Sequence, residues 1–354
     1  MDFSISQDHQ MLADSLRRYF SDKYPIELRN KAGYSAPFHS PEVWTDLAEL
    51  GVIGAFIDED HGGFGGTAQD IAVVFEEVGR ALCCEPLLGA LMGARLLALS
   101  GQDQAAENVV AGTARAAVAI FEPGVVCNLG AISAEARQLG GEWRLFGHKN
   151  AIYGGPGADL VLIAAHASGK IGLFLAQSPD MQPAPMIDGG GIGDLVMDGL
   201  PAVCICEDAS AMIEETLDLA RIALCAEANG AMDRLIAMTT DYLKQRQQFG
   251  RPLATFQALQ HRLVDMVMEL EQSKSITIRA VASFGSDDQA RHVAMAKNLI
   301  GRAGTKISEE AIQLHGGIGM TWEYAGSHYA KRLVMIDHQL GDRHDHAGRL
   351  SAMS

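Results

Sequence analysis

Tyr242-Leu243-Lys244-Gln245-Arg246-Gln247-Gln248-Phe249-Gly250 is the stretch from which the rest of the sequence becomes readable. It closes a run in which Met212, Ile213, Thr216, Leu219 and Ala223 recur at helical spacing. Gly250 suits the position just past a last helical turn. Arg246 beside Phe249 at a helix break can also grip an anionic cofactor, because a guanidinium makes strong charge-assisted hydrogen bonds. On this stretch alone, a capped basic helix end and a cofactor grip are both open.

Reading toward the C-terminus, Phe256, Leu259, Leu263, Met266, Val267 and Leu270 form a second helical stripe. Helices are expected from Asp287 to Leu314 and from about Ala325 to Leu350, which makes a four-helix bundle over 209–354. Between those two lies Gln313-Leu314-His315-Gly316-Gly317-Ile318-Gly319, whose glycines let backbone approach a ligand closely. Reading toward the N-terminus, residues 114–208 break into short apolar runs: Ala116 to Phe121, Ala131 to Leu139, Trp143 to Phe146, Leu160 to Ala165, Ile171 to Leu175 and Val203 to Cys206. Gly140-Gly141, Gly154-Gly155-Pro156 and Gly189-Gly190-Gly191 punctuate them, the mark of an antiparallel sheet domain or small barrel. Residues 1–113 read as helices, with Ser40-Pro41 as an N-cap and first helical position, Gly51 as a stop, and Thr67 capping a helix that carries Ile71, Val74, Phe75 and Val78. The fold class is therefore α+β: a helical N-domain (1–113), a middle antiparallel β-domain (114–208) and a C-terminal four-helix bundle (209–354).

The 354 residues carry Lys+Arg 28 against Asp+Glu 44, a formal charge of −16. Such a chain lacks the basic surface that nucleic acid or an anionic membrane requires. With 48% hydrophobic and 20% charged residues it has the profile of an ordinary folded protein. No apolar run is long enough for a transmembrane helix. The start, Met1-Asp2-Phe3-Ser4-Ile5-Ser6, has neither a signal-peptide nor a transit-peptide pattern. The six scattered cysteines form no CxxC pair, which fits reduced thiols in a cytoplasm. The glycine loops Gly62 to Gly66 and Gly189 to Gly193 fail the dinucleotide fingerprint spacing, so a Rossmann or P-loop enzyme is disfavoured. His338, Asp342 and His346 would share one face of a continuous helix and could hold a metal for hydrolysis. The plainer alternative is a solvated helix end.

Taken together and in order, these pieces resemble the acyl-CoA dehydrogenase family over essentially the whole chain. The match runs from Glu49 to Gly54 and the Gly62 to Gly66 loop, through Phe121-Glu122-Pro123-Gly124, Gly147-His148-Lys149 and Ala158-Asp159, to Tyr242 to Gly250 with Gln257 and Gln260, and Gln313 to Gly319 with Glu323-Tyr324. The short length and the Gly341-Asp342…Asp345-His346 ending resemble the small subunits of paired bacterial acyl-CoA dehydrogenases. The resemblance implies FAD held between subunits of a tetramer-type assembly, with self or with a homologous subunit. Arg246, Phe249, Gln313, Gly316 and Gly317 would contact the flavin cofactor, and Arg221 with Asp218 would lie near the acyl-CoA. It implies α,β-dehydrogenation of an acyl-CoA thioester, in which a carboxylate takes the α-proton and the β-hydrogen leaves as hydride, with electrons passing to electron-transferring flavoprotein.

The sequence departs from that family where the proton is taken. The usual glutamate position falls on Leu340, followed by Gly341, and the family's alternative position falls on Ala220. Neither side chain can accept a proton. Either Asp342 reaches in as the base, or a homologous partner supplies it and this chain only completes the partner's FAD site. The residues usually beside the isoalloxazine and substrate fall on Ala151, Tyr153, Cys127 and Phe121. An alanine at 151 would open space for a bulky acyl group, such as a steroid side chain.

Overall fold

The computed structural model describes residues 6–124 and 128–353. Six helices come first: α1 (Gln7–Lys23), α2 (Ile26–Gly33), α3 (Pro41–Glu49), α4 (Ala68–Ala81), α5 (Leu87–Leu99) and α6 (Asp103–Val110). Their starts follow the local chemistry of the sequence. Ser6 and Ser40 side chains accept from His9 N–H and Val43 N–H at the heads of α1 and α3, with Pro41 at the first helical position of α3. Before α4, Thr67 Oγ1 accepts from Asp70 N–H at 3.1 Å while Asp70 accepts from Thr67 N–H at 3.0 Å, a reciprocal cap. Seven strands follow: β1 (Ala116–Ala119), β2 (Glu135–Leu139), β3 (Glu142–Tyr153), β4 (Leu160–Ala167), β5 (Lys170–Gln177), β6 (Gln182–Pro185) and β7 (Gly191–Cys206). Then come α7 (Ser210–Gln245), a minimal hairpin β8 (Gln247–Gln248) and β9 (Arg251–Pro252), and α8 (Gln257–Ala282), α9 (Gln289–His315), α10 (Ala325–His338) and α11 (Arg343–Ala352).

The chain forms two compact units. One holds residues 27–70 and 84–220 and is organised by the sheet. Strands β4, β5, β7, β3 and β2 pair in succession, and β2 returns to β4, so the sheet closes on itself. Most pairings are antiparallel, as the sequence predicts, but β1 and β2 take one edge of β4 in succession and run parallel to it. Inside this unit Lys149 (0% exposed) meets Glu122 (5% exposed). Its Nζ donates to Glu122 at 2.7 Å and to the Ile120 carbonyl at 2.9 Å. The carboxylate also accepts from Ser133 N–H, Ser133 hydroxyl and Ala134 N–H. Burial pushes this acid up, but those donors outweigh it and bring Glu122 down to about 2. Burial outweighs the pairing at Lys149 and lowers it to about 8, so both groups are charged at neutral pH.

The other unit holds residues 1–26, 71–83 and 221–354. Its tightest approach is between α4 and α7, where two glycines face the opposing backbone. A Cβ at Gly79 would sit 1.8 Å from the Glu227 carbonyl oxygen, and one at Gly230 would sit 1.9 Å from that of Glu76. Only glycine allows the two helices to lie this close. Arg332 of α10 then makes a buried bidentate pair with Glu227 at 2.5 and 2.7 Å.

One expected helix is two. Instead of running from Ala325 to Leu350, α10 stops at His338; Leu340 and Gly341 adopt left-handed φ of 56° and 99°. The break is held by groups from α7 and α9 together with His346 of the segment itself. Lys297 Nζ takes the carbonyls of Ile336 and Asp337, and the Leu340 carbonyl accepts from Arg221 Nε at 3.1 Å and pairs with His346 Nε2 at 3.3 Å.

Candidate functional site

At the lower end of α7 and α9 the two C-terminal motifs come together. The His315 ring lies between Tyr242, one turn before Arg246, at 4.6 Å, and Tyr324 at 4.7 Å. Beyond Tyr242 the hairpin β8–β9 carries Phe249 at its tip, with left-handed φ of 52° and 90% exposure. Arg246 is exposed and makes no side-chain hydrogen bond or ion pair with any described residue. Gln313 is likewise exposed with no side-chain partner among the described residues. Gly316 ends α9 with φ of 68°, a conformation that favours glycine. Gly317 has no such constraint: its φ is not left-handed, and a Cβ there would meet nothing within 4 Å. Nothing in the chain itself demands glycine at 317, and its backbone is open to a neighbour that approaches from outside.

These groups fit FAD. A free guanidinium suits the pyrophosphate, an exposed ring offers a stacking face, and exposed glycine backbone admits a close neighbour. Arg246, Phe249, Gln313, Gly316 and Gly317 would hold the cofactor from this side.

The residues expected at the acyl end are placed differently. Asp218 and Arg221 are both buried on α7, and Arg221 is committed to the Leu340 carbonyl. Leu340 is 1% exposed and Ala220 is 0% exposed, so both positions where an acid would stand are apolar and enclosed. Asp342 is the N-cap of α11: its Oδ1 accepts from His344 N–H at 2.7 Å and Asp345 N–H at 2.8 Å, and Asp345 caps it in return. Burial raises its pKa, but those N–H groups and the nearby His344 and His338 outweigh it and leave it below the ordinary value. A base for a carbon-bound proton needs the opposite shift. His346 is fully buried and neutral, lowered to about 3 by burial and by Arg221, Lys297 and Arg349.

The metal reading fails on this geometry. The break at 339–341 removes His338, Asp342 and His346 from one face, His338 being exposed and His346 enclosed. Among the described residues no group of three or more His, Cys, Asp or Glu side chains is placed to hold a metal. No helix among them is long and apolar enough to cross a membrane. Ala151 sits at an irregularity of β3 with φ of 49°, and Cys127 lies outside the described residues. Sequence reasoning passed over the roles of Tyr242 and Tyr324, because a contact between rings on three separate elements leaves no periodic signal.

Comparison with known proteins yields two family matches: acyl-CoA dehydrogenase, N-terminal domain, over residues 6–117, and acyl-CoA dehydrogenase, C-terminal domain, over 210–336. The chain is 28% identical over 349 residues to acyl-CoA dehydrogenase IpdE2 of Mycolicibacterium smegmatis, covering 98% of this chain and 99% of that protein. It is 30% identical over 301 residues to acyl-CoA dehydrogenase IpdE2 of Mycobacterium tuberculosis, covering 83% and 80%. Among solved structures, a variant of the Tcur3481–Tcur3483 steroid ACAD matches with a TM-score of 0.90 at 30% identity, covering 98% of this chain and 97% of that one.

Proposed function

The chain belongs to the acyl-CoA dehydrogenase family, flavin-dependent oxidoreductases that act on CH–CH bonds, and from that premise we propose that it serves FAD-dependent α,β-dehydrogenation of an acyl-CoA as one subunit of a heteromeric enzyme. One observation supports the heteromeric part: Arg246, Phe249, Gln313, Gly316 and Gly317 are exposed, while Leu340 and Ala220, at the positions where an acid is expected, are enclosed and apolar. Bound FAD supplies the hydride acceptor. Arg246 would neutralise its pyrophosphate, Phe249 and Gln313 would line it, and Gly316 and Gly317 would admit it. The carboxylate that takes the α-proton would come from a homologous partner, since Asp342 is tied into its cap. The acyl-end roles inferred for Arg221 and Asp218 would then be to hold the turn at 339–341, which Arg221 reaches directly.

Exposed apolar side chains along α8, namely Val264, Val267, Met268 and Ile278, give that partner a surface to cover. The same reading places the chain in the cytoplasm, hands electrons to electron-transferring flavoprotein, and keeps the divisions 1–113, 114–208 and 209–354 as domains. The steroid in the name of the solved relative, together with alanine at 151, supports a bulky acyl group.

The test is expression of the chain alone and with a homologous acyl-CoA dehydrogenase subunit, measuring flavin per chain and turnover with an artificial acceptor. Flavin and turnover that appear only in the mixed assembly, and fall with Arg246→Ala, support the proposal. A chain that binds FAD and turns over acyl-CoA alone, losing turnover in Asp342→Ala with flavin retained, removes the heteromeric reading and gives the base to Asp342.

A further inference from the structure

The segment from His315 to Tyr324 is a loop closed at its base by one side-chain bond. His315 is the last residue of α9, and Tyr324 is the residue before α10. His315 Nδ1 lies 2.7 Å from the Ala311 carbonyl oxygen, which can only accept, so Nδ1 carries the proton of the neutral ring. Nε2 is then an acceptor, and the Tyr324 hydroxyl donates to it at 2.5 Å. The protonation states agree with this direction. Burial lowers His315 against the opposing influence of the Ala311 carbonyl, and burial with the nearby Tyr242 raises Tyr324 to about 12.

The turn also packs closely on the last turn of α9. Gly319 is buried, and a Cβ there would lie 3.0 Å from His315 Cβ and 3.2 Å from the Ile312 carbonyl oxygen. Thr321 Oγ1 donates to the Ile318 carbonyl at 3.0 Å, and His328 Nε2 reaches the Trp322 carbonyl at 2.8 Å. At the crest, a Cβ on Gly316 or Gly317 would meet nothing within 4 Å, whereas the Gly316 N–H is bonded to the Ile312 carbonyl and the base is fixed. The Tyr242 ring meets His315 in a tilted contact, so the helix end that presents Arg246 is registered against the same imidazole.

We propose that Tyr324 and His315 are positioning residues: their hydrogen bond sets the Gly316–Gly317 crest, and through Tyr242 its place relative to Arg246, for the flavin cofactor. This rests on the reading above that the crest meets FAD. A neutral hydrogen bond at the base of a loop acts by pre-organisation, since it removes ordering that binding would otherwise have to impose.

The experiment uses the full chain in its assembled complex. It measures the FAD dissociation constant by flavin fluorescence and hydrogen–deuterium exchange across 313–324 without added substrate. Tyr324→Phe, which removes one oxygen, should weaken FAD about three- to tenfold and speed exchange in the crest by a similar factor. His315→Leu should do the same, and His315→Gln, which keeps an acceptor toward Tyr324, should recover much of the loss. Gly317→Asp tests the underlying reading by filling the crest with an anionic side chain. If Gly317→Asp expels FAD while Tyr324→Phe changes neither exchange nor affinity, the positioning role is overturned and the reading stands. If Gly317→Asp keeps FAD at parental affinity, the reading itself falls and the positioning role with it.

Discussion

Replacing Lys149 with methionine probes an enclosed ion pair of the β-sheet unit. The substitution keeps the length of the side chain but removes the Nζ that donates to Glu122 and to the Ile120 carbonyl. Glu122 keeps its hydrogen bonds from Ser133 and Ala134 but loses the only cation paired with it among the described residues, at a site where the two side chains are 0% and 5% exposed. Removing one partner of a buried pair costs about 3–5 kcal/mol. At about 2–4 °C per kcal/mol for a domain of this size, the unfolding midpoint should fall by about 10 °C. Glu122→Gln should cost a similar amount, because it strands the ammonium instead. The double variant should recover about 1–3 kcal/mol of the summed loss, the range for residues that share one network. Urea titration of the four proteins, followed by circular dichroism, measures the cycle. A Lys149→Met protein within about 1 kcal/mol of the parent would refute the assignment of a charged, enclosed pair. Glu122 is held near 2 when folded, against an ordinary value of 4.5, so its contribution is complete above about pH 4.5 and is lost as the pH falls toward 2.

Further outcomes follow from other parts of the molecule. His346, lowered to about 3 when folded, should make the parent about 2 kcal/mol less stable at pH 5 than at pH 7, since only the unfolded state takes up the proton; denaturation of His346→Gln should show a flatter profile. Asp342→Ala should cost about 1 kcal/mol through loss of the α11 cap while leaving turnover of the assembled enzyme intact, read by thermal melts beside a dye-reduction assay. Gly79→Ala should destabilise by more than about 3 kcal/mol, because the new methyl group meets the Glu227 backbone and cannot be rotated away; soluble yield and melting temperature report it.

The elements that were legible in the sequence are those fixed by neighbours in the chain. Ser40-Pro41 and the Thr67–Asp70 pair start their helices as read, and the stripe on α8 is where the spacing predicts it. The first half of β7 was hidden, because its glycines and the short segments before it read as turns, whereas pairing with β3 and β6 makes it a strand. The break at 339–341 was hidden for a related reason: Lys297, Arg221 and His346 impose it, and two of these are far away in sequence. That leucine and alanine stand at 340 and 220, where the family resemblance leads one to expect an acid, is legible because it is a matter of residue identity alone. That Asp342 is spent on a cap is a matter of geometry, and only the structure could show it.

The bend after α10 is gripped at position 340 through its peptide oxygen. Arg221, His346 and Lys297 contact carbonyls here and not the side chain at position 340. Shape and reactivity are thereby separable at this point in the chain. Loss or gain of an acid at such a position would leave these carbonyl contacts available, which is the condition two diverging copies need before one can keep the chemistry and the other become its complement.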